Sequence, residues 1–549
     1  MGTNQIGITQ SIMVVEVLDL SNTRNNLKLK KPHMKKYLLF FFLMFFVIQT
    51  TKANNLTIST PSYNDANKTL TFTIAWDNSW KITGGPNNYD GVWLFIKRQA
   101  CSSTNAWATA LLSSTSSDHI AAAVTGGAAA KLLTFDAVSD GMGVFIRRQY
   151  NGIGNIPSHT ITLQLNTSLT TSPVITPTSN DNFKILGIEM VYVPQGEFYI
   201  GDGRNTNTNN FSNGNNSATP LKITAAIQAA GLGASTVYTS SPSLGCPNFL
   251  PASFPLGYNG VWCMKYEIST GSYLDFLNSI SYNEQATRLA KWSARYPNST
   301  GQDFGANINT GLYTSVAGVF NTVPATFAFR NAGYTWVPVT YLSWLDLTAY
   351  LDWSGLRPMN EFEYEKICRG PLNPIPNEYP WGSTAIRQAT GYGNNYGTNS
   401  MRHGEVGLYD GLAVYSWNDQ NGAPYRSGSF ANSTTTRAQS GATYYGIMEM
   451  GGNLSEQVVG GGSGYDFSNF TTANGDGSLG TDGNANTPGW PFAIGANTGN
   501  YIKGGDFQGT WGTYPDMLRV SERSALNGST HNNGQNPGTG GRGVRSFPN

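Results

Sequence analysis

A period of two is the first clear pattern along the chain. Leu70, Phe72, Ile74 and Trp76 alternate with Thr71, Thr73 and Ala75, which places apolar side chains on one face of a strand. Val92 to Ile96 is instead a continuous apolar run, the pattern of a strand buried on both faces. Val144-Phe145-Ile146 and the alternating Ile161, Leu163 and Leu165 add further strands. Trp93-Leu94-Phe95-Ile96-Lys97-Arg98-Gln99 and Gly143-Val144-Phe145-Ile146-Arg147-Arg148-Gln149 are alike. They read as equivalent strands, although two copies do not establish a repeat. Turn signals at Asn64-Asp65 and Asn151-Gly152 separate the runs. Residues 54–166 therefore predict an all-β region, a β-sandwich of immunoglobulin-like type, with no catalytic constellation.

The pattern then changes twice. Residues 167–182 are mostly Thr, Ser, Pro and Asn, a linker by composition, and a new domain is expected over 183–549. Val191-Tyr192-Val193-Pro194 and Gly196-Glu197-Phe198-Tyr199-Ile200-Gly201 predict a hairpin. Three helices follow from 3.6-residue spacing and caps. Ser269 or Thr270 caps one whose Tyr273, Phe276, Leu277 and Ile280 share a face. Ser343 caps a second carrying Trp344, Leu347 and Leu351. Asn360 opens a third, with Glu363 completing a capping box and Met359 poised to staple against Tyr364. Beyond Pro371 the chain becomes Gly-rich loops with scattered aromatics. Such an irregular α+β domain needs bound ions or dense loop hydrogen bonding to satisfy its backbone.

The N-terminal stretch adds a location. Met34-Lys35-Lys36 is a charged start, Tyr37 to Ile48 an apolar run, and Thr51-Lys52-Ala53 ends in a small residue. The run is short for a bilayer span, so residues 34–53 read as a secretory signal peptide, with an uncleaved anchor as the alternative. Residues 1–33 then form an extension or follow a mis-assigned start. The expected location is secreted, periplasmic or cell-surface, with no integral membrane span after signal cleavage. Only 12% of the 549 residues are charged, and the net charge is +1, which argues against nucleic acid as a partner. The 12% aromatic content excludes a disordered chain. Four cysteines, Cys101, Cys246, Cys263 and Cys368, can oxidise in an exported protein. Cys246 and Cys263 flank a Pro/Gly-containing loop and are the first candidates for a pair; four buried thiols are the alternative.

A family resemblance emerges from several segments in order. They are Met190 to Gly201; Val261 through Lys265-Tyr266-Glu267-Ile268-Ser269 to Phe276; Val337-Pro338-Val339; and Leu356-Arg357-Pro358-Met359-Asn360-Glu361-Phe362-Glu363-Tyr364-Glu365. Arg369-Gly370, Tyr379-Pro380-Trp381-Gly382 and Tyr445-Gly446-Ile447-Met448-Glu449-Met450-Gly451-Gly452-Asn453-Leu454-Ser455-Glu456 follow. Lys503-Gly504-Gly505-Asp506-Phe507, Arg519, Arg523 and Gly541-Arg542-Gly543-Val544-Arg545 complete the series. Residues 183–549 resemble the formylglycine-generating, sulfatase-modifying-factor family. The resemblance implies a compact irregular α+β fold related to C-type lectins.

It also implies chemistry that this chain keeps only in part. The family's oxidases bind copper with two cysteines just after the Gly-Gly motif. Here that segment reads Asp506-Phe507-Gln508-Gly509-Thr510-Trp511-Gly512-Thr513-Tyr514, and no Cys follows Cys368. Copper(I) wants thiolates, so copper is not expected and the formylglycine reaction does not carry over. Calcium does, through hard oxygen ligands. The matching positions are Glu449, Gly452, Leu454 and Glu456, the middle two offering main-chain carbonyls; the alternative is that Glu456 bonds to loop amides. Gln457 stands where a family Trp follows that Glu. Trp511, Tyr514, Asp506 and Arg523 are candidates for a ligand groove, where an aromatic can stack on a sugar or a peptide or fill the missing copper site. Arg519, Arg523 and Arg545 read as structural ion-pair partners. Iron sites in the wider family need histidines, and only His403 and His531 lie in this part of the chain.

The resulting expectation is an exported, non-catalytic binding or structural protein of the bacterial cell envelope, a calcium-stabilised pseudoenzyme with a protein or glycan ligand at the cell surface. One alternative is a metal-dependent oxidative enzyme using His403, His531, Asp506 and Asp516. Another is a scaffold component of a cell-surface secretion or gliding machine.

Overall fold

The computed structural model describes residues 55–100, 107–122, 132–166, 177–204, 210–213, 219–232, 237–239, 250–293, 312–314, 327–329, 335–390, 403–416, 424–460, 470–491, 500–509, 515–523 and 537–546. The expected extension, the signal peptide and most of the linker lie outside them, as do Cys101, Cys246, Trp511, Tyr514 and His531. Residues Lys52–Asn549 form one compact unit. No helix among the described residues is long and apolar enough to cross a membrane.

The N-terminal part contributes strands β1 (Thr57–Ile58), β2 (Ser62–Asn64), β3 (Thr69–Lys81), β4 (Asp90–Gln99), β5 (Ala108–Ala110), β6 (Ile120–Ala121), β7 (Leu133–Ala137), β8 (Val144–Arg148) and β9 (Gly152–Gln164). A five-stranded sheet has the order β1-β3-β9-β6, with β2 also on β3. Its inward residues Leu70, Phe72, Ile74 and Trp76 meet Val92, Leu94 and Ile96 of β4 and Val144 and Ile146 of β8 in one apolar core. The period-two strand and the doubly buried strand are thus both present, as the pattern predicts. Trp93, Phe95 and Phe145 point the other way, into a second core. The two similar stretches are neighbours: β4 and β8 pair antiparallel, with Trp93 opposite Phe145.

That second face explains how the rest of the chain attaches. Strand β10 (Asn182–Val193) pairs with β4 along most of its length, from Asn182 opposite Gln99 to Val191 opposite Asp90. Beyond β10 lie the strands Val261–Met264, Gly543–Ser546 and Arg357–Pro358, so an eight-stranded sheet is shared by the N-terminal part and everything after the linker. Helices Thr270–Leu277 and Trp344–Trp353 pack their aromatics against Trp93, Phe95 and Trp262. Trp93 Nε1 donates to the Ser354 carbonyl at 2.9 Å, and Lys97 Nζ donates to the carbonyls of Trp353 at 2.7 Å and Gly477 at 2.9 Å. The result is strand-rich α+β.

The helix starts match their sequence signals. The side chains of Ser269, Ser343 and Asn360 each accept backbone N–H groups, and the last two complete capping boxes. Met359 and Tyr364 share one buried cluster, as a staple requires. Two expectations fail. Residues 191–201 form no hairpin: Val191–Val193 lie between β4 and Val261–Met264, with both edges used, and Phe198–Ile200 pairs with Leu221–Ile223. The Cys246–Cys263 pair is also corrected. Cys263 is a free thiol inside the Val261–Met264 strand, packed among Val191, Tyr364 and Val544, and burial pushes its pKa up to about 12.

Candidate functional site

The Gly-Asn loop is built by a backbone that few sequences tolerate. Glu449, Gly452 and Asn453 have φ of 52°, 83° and 67°. A Cβ on Gly452 would stand 2.6 Å from the Val414 carbonyl oxygen, so this position needs glycine. Asn453 then ties four segments together. Its Oδ1 accepts from Tyr425 N at 2.8 Å, and its Nδ2 donates to Glu267 Oε2 at 2.6 Å. Its own N–H donates to Val414, and its carbonyl accepts from Phe507 N.

Three carboxyls meet behind this loop. Glu267 Oε1 accepts from Leu454 N at 3.0 Å, and Glu267 Oε2 also accepts from Ser427 Oγ at 3.1 Å. Glu456, in the strand Ser455–Val459, pairs with Arg542 at 2.7 Å. Glu449 Oε1 accepts from Gly428 N at 2.6 Å. All three are buried. Burial is the largest cause raising each pKa: Glu267 well above the usual carboxyl range, with Glu456 the next cause, and Glu449 to about 7. One oxygen of Glu449 and one of Glu456 are buried with no hydrogen-bond partner among the described residues. Leftover hard oxygens in an acidic pocket suit a calcium ion. No group of three or more His, Cys, Asp and Glu among the described residues converges on a metal position. A cation there would need oxygen donors beyond these two carboxyls.

Sequence reasoning singled out Glu449 and Glu456 but left Glu267 and Asn453 out of the site. Both stood in the quoted motifs; nothing in their spacing showed that residues 186 apart in the chain would bond. Gln457 also gains a role: its amide donates to the carbonyls of Leu342 at 3.0 Å and Gly540 at 3.2 Å, work an indole could not do twice.

The described groove candidates, Asp506 and Arg523, are both buried. Asp506 Oδ1 accepts from Gln508 N at 2.7 Å, and its other oxygen lies 3.4 Å from Ser455 Oγ. Arg523 grips Glu361 with two hydrogen bonds of 2.8 and 3.0 Å and sits 4.1 Å over the Phe211 ring. Arg545 pairs with Asp140 and covers the Trp93 ring at 4.4 Å; Arg519 pairs with Asp516 at 2.6 Å. His403 is buried against Tyr425. Its Nδ1 accepts from Glu405 N at 3.1 Å, and its Nε2 lies 3.1 Å from the Thr390 carbonyl, so both ring nitrogens serve local structure. Cys368 is a free buried thiol whose pKa burial raises.

A strand-rich α+β domain held by a Gly-Asn loop and the Leu356–Glu365 helix entry defines a formylglycine-generating-enzyme-like class. The model of the sulfatase-modifying factor enzyme 1-like domain matches residues 178–542, and the chain belongs to that family. It is 24% identical over 193 residues to the mouse (Mus musculus) formylglycine-generating enzyme, covering 32% of this chain and 47% of that protein. It is 34% identical over 73 residues to the hercynine oxygenases of Mycolicibacterium thermoresistibile and Mycobacterium tuberculosis, covering 13% of this chain and 16% of each of them. The chain thus matches less than half the length of these relatives.

Proposed function

We propose that this chain is an exported, non-catalytic binding or structural protein, built on a sulfatase-modifying-factor domain and stabilised by calcium at the Glu449–Glu456 loop. The observation that carries the reading is the lack of thiols after the Gly504-Gly505 turn, where no Cys follows Cys368. Cys263 and Cys368 are unsuited to replace them: both are buried, and burial raises the pKa of each thiol, which disfavours the thiolate that copper(I) takes. In this reading the N-terminal sheets act as an immunoglobulin-like spacer at the cell surface, and the ligand is a protein or glycan. Calcium would be held by Glu449, Glu456 and the carbonyls of Gly452 and Leu454, offsetting buried negative charge.

The matches to hercynine oxygenases favour one second reading, an oxidative metal enzyme of altered chemistry. Elemental analysis of the dialysed protein, with thermal melts in calcium and in chelator, separates the two. Calcium alone, with a lower melting temperature on chelation, is the expected outcome. Stoichiometric copper or iron would replace the proposal with the second reading.

A further inference from the structure

The shared sheet has an unfinished edge. Lys265 N donates to the Glu189 carbonyl, and Tyr192 N donates to the Tyr89 carbonyl. Odd-numbered residues of β10 therefore aim their N–H and C=O groups toward the Val261–Met264 strand, and even-numbered ones toward β4. The Val261–Met264 strand stops opposite Met190. Below it, the backbone groups of Ile185 and Gly187 point outward along an edge where no described residue hydrogen-bonds to them.

That edge is the floor of a cleft of about 350 Å³. Leu56 and Ile58 of β1 form one wall; Trp336, Tyr350 and Trp353 line the other, with Asp275 of the Thr270–Leu277 helix. Asp275 is exposed to the cleft, and its carboxylate accepts no hydrogen bond from the described residues. The surrounding walls raise its pKa to about 6, which leaves it ionised at neutral pH. The charge of Lys184 acts on Asp275 in opposition, but its Nζ bonds to the Asn278 carbonyl at 3.2 Å and sits 4.3 Å over the Trp107 ring.

We propose that this cleft binds an extended peptide segment of a partner protein, which adds a strand to the β10 edge and places a lysine or arginine against Asp275. Donors and acceptors repeating at strand spacing are matched best by another backbone. The alternation of a strand then sends one side chain toward Leu56 and Ile58 and the next toward the aromatic wall. The site is separate from the Glu449–Glu456 loop and does not depend on how that loop is read.

The test follows tryptophan fluorescence of the purified protein, since Trp336 and Trp353 line the cleft. The probe is a short capped peptide of alternating threonine and valine with a central lysine. Saturable binding is expected, weakened about tenfold or more by glutamate in place of the lysine or by Asp275→Asn in the protein. Methylating the amides on one alternate set of the probe's residues should abolish binding, and methylating the other set should leave it. Failure to saturate, equal loss from both methylated sets, or equally tight binding of a small aromatic amine would each overturn the proposal.

Discussion

The N-terminal strands and the loop-rich part after the linker are held together by different physics. On the β1–β9 side, Leu70, Phe72, Leu94, Ile146 and Leu163 make a hydrocarbon core, and regular ladders satisfy the backbone. In the loop-rich part, long loops leave carbonyls and amides without ladders, and buried arginines take them up. Arg369 pairs with Glu365 and Glu378 and donates to Ser521 Oγ at 2.9 Å and the Tyr199 carbonyl at 2.7 Å. Arg357 holds Glu363, Arg204 holds Asp202 and Glu522, and Arg437 donates to the carbonyls of Cys368 and Pro380. A guanidinium fork suits this work because one side chain satisfies several acceptors in a fixed geometry. The contrast teaches that an irregular domain can replace secondary structure with buried charge, provided that the charges meet opposite charges or hydrogen-bonding groups.

The largest expected effect tests that directly. Arg369→Met keeps an apolar stem but strands Glu365 and Glu378 in the interior, and should cost about 3–5 kcal/mol. Leu94→Met, fully buried in the core beneath β3 and β9, conserves volume and polarity and should cost less than about 1.5 kcal/mol. Denaturant midpoints of the two variants read the difference. An Arg369→Met protein as stable as the parent would break the comparison.

The next effect sharpens it through pH. Glu449 has an ordinary pKa of 4.5, raised to about 7 in the fold first by burial and opposed by the Gly428 N–H and the nearby Arg542 and Arg426. Between those values the folded state keeps a proton that the unfolded chain has lost. Its contribution is therefore greatest below pH 4.5 and falls as pH rises toward 7, by an amount on the order of a few kcal/mol. Glu267 moves in the same direction. Melting temperatures at pH 5 and pH 8 should converge in Glu449→Gln relative to the parent. Added calcium should restore the parent at pH 8, because a divalent ion can replace the missing proton. Identical pH profiles for parent and variant would show that this carboxyl is not under the stated strain.

The same contrast governs what the amino-acid sequence reveals. Period-two alternation marks Leu70 to Trp76 as one face of a strand, and the unbroken Val92–Ile96 run marks two buried faces, because side-chain direction is a local property. Capping at Ser343 and Asn360 is equally local. Pairing partners are not: the Val191–Gly201 stretch has hairpin spacing, yet Val191 pairs with Cys263 and Phe198 with Ile223. In the loop-rich part the decisive bonds are longer in reach still. Arg523 and Glu361 are 162 residues apart, and Glu267 and Leu454 are 187 apart. Family motifs brought Glu449 and Glu456 into view as a site, while Glu267, in a motif of its own, joins them only through its place in the fold.

The smallest expected effect lies where local and long-range bonding meet. Ser343 Oγ accepts from Asp346 N at 3.2 Å and donates to Asp346 Oδ2 at 2.6 Å. Asp346 also accepts from Ser343 N at 3.1 Å and from Arg288 Nη1 at 2.9 Å. Ser343→Ala removes the cap but leaves Asp346 its backbone partner and its guanidinium, so no charge is stranded. The loss should stay near an ordinary N-cap value, about 1 kcal/mol, seen as a lower denaturant midpoint with an unchanged slope. A loss above about 3 kcal/mol, in the range of a broken buried ion pair, would mean that the hydroxyl also positions Asp346 for Arg288. The capping box would then belong to the buried charge network rather than to the helix it begins.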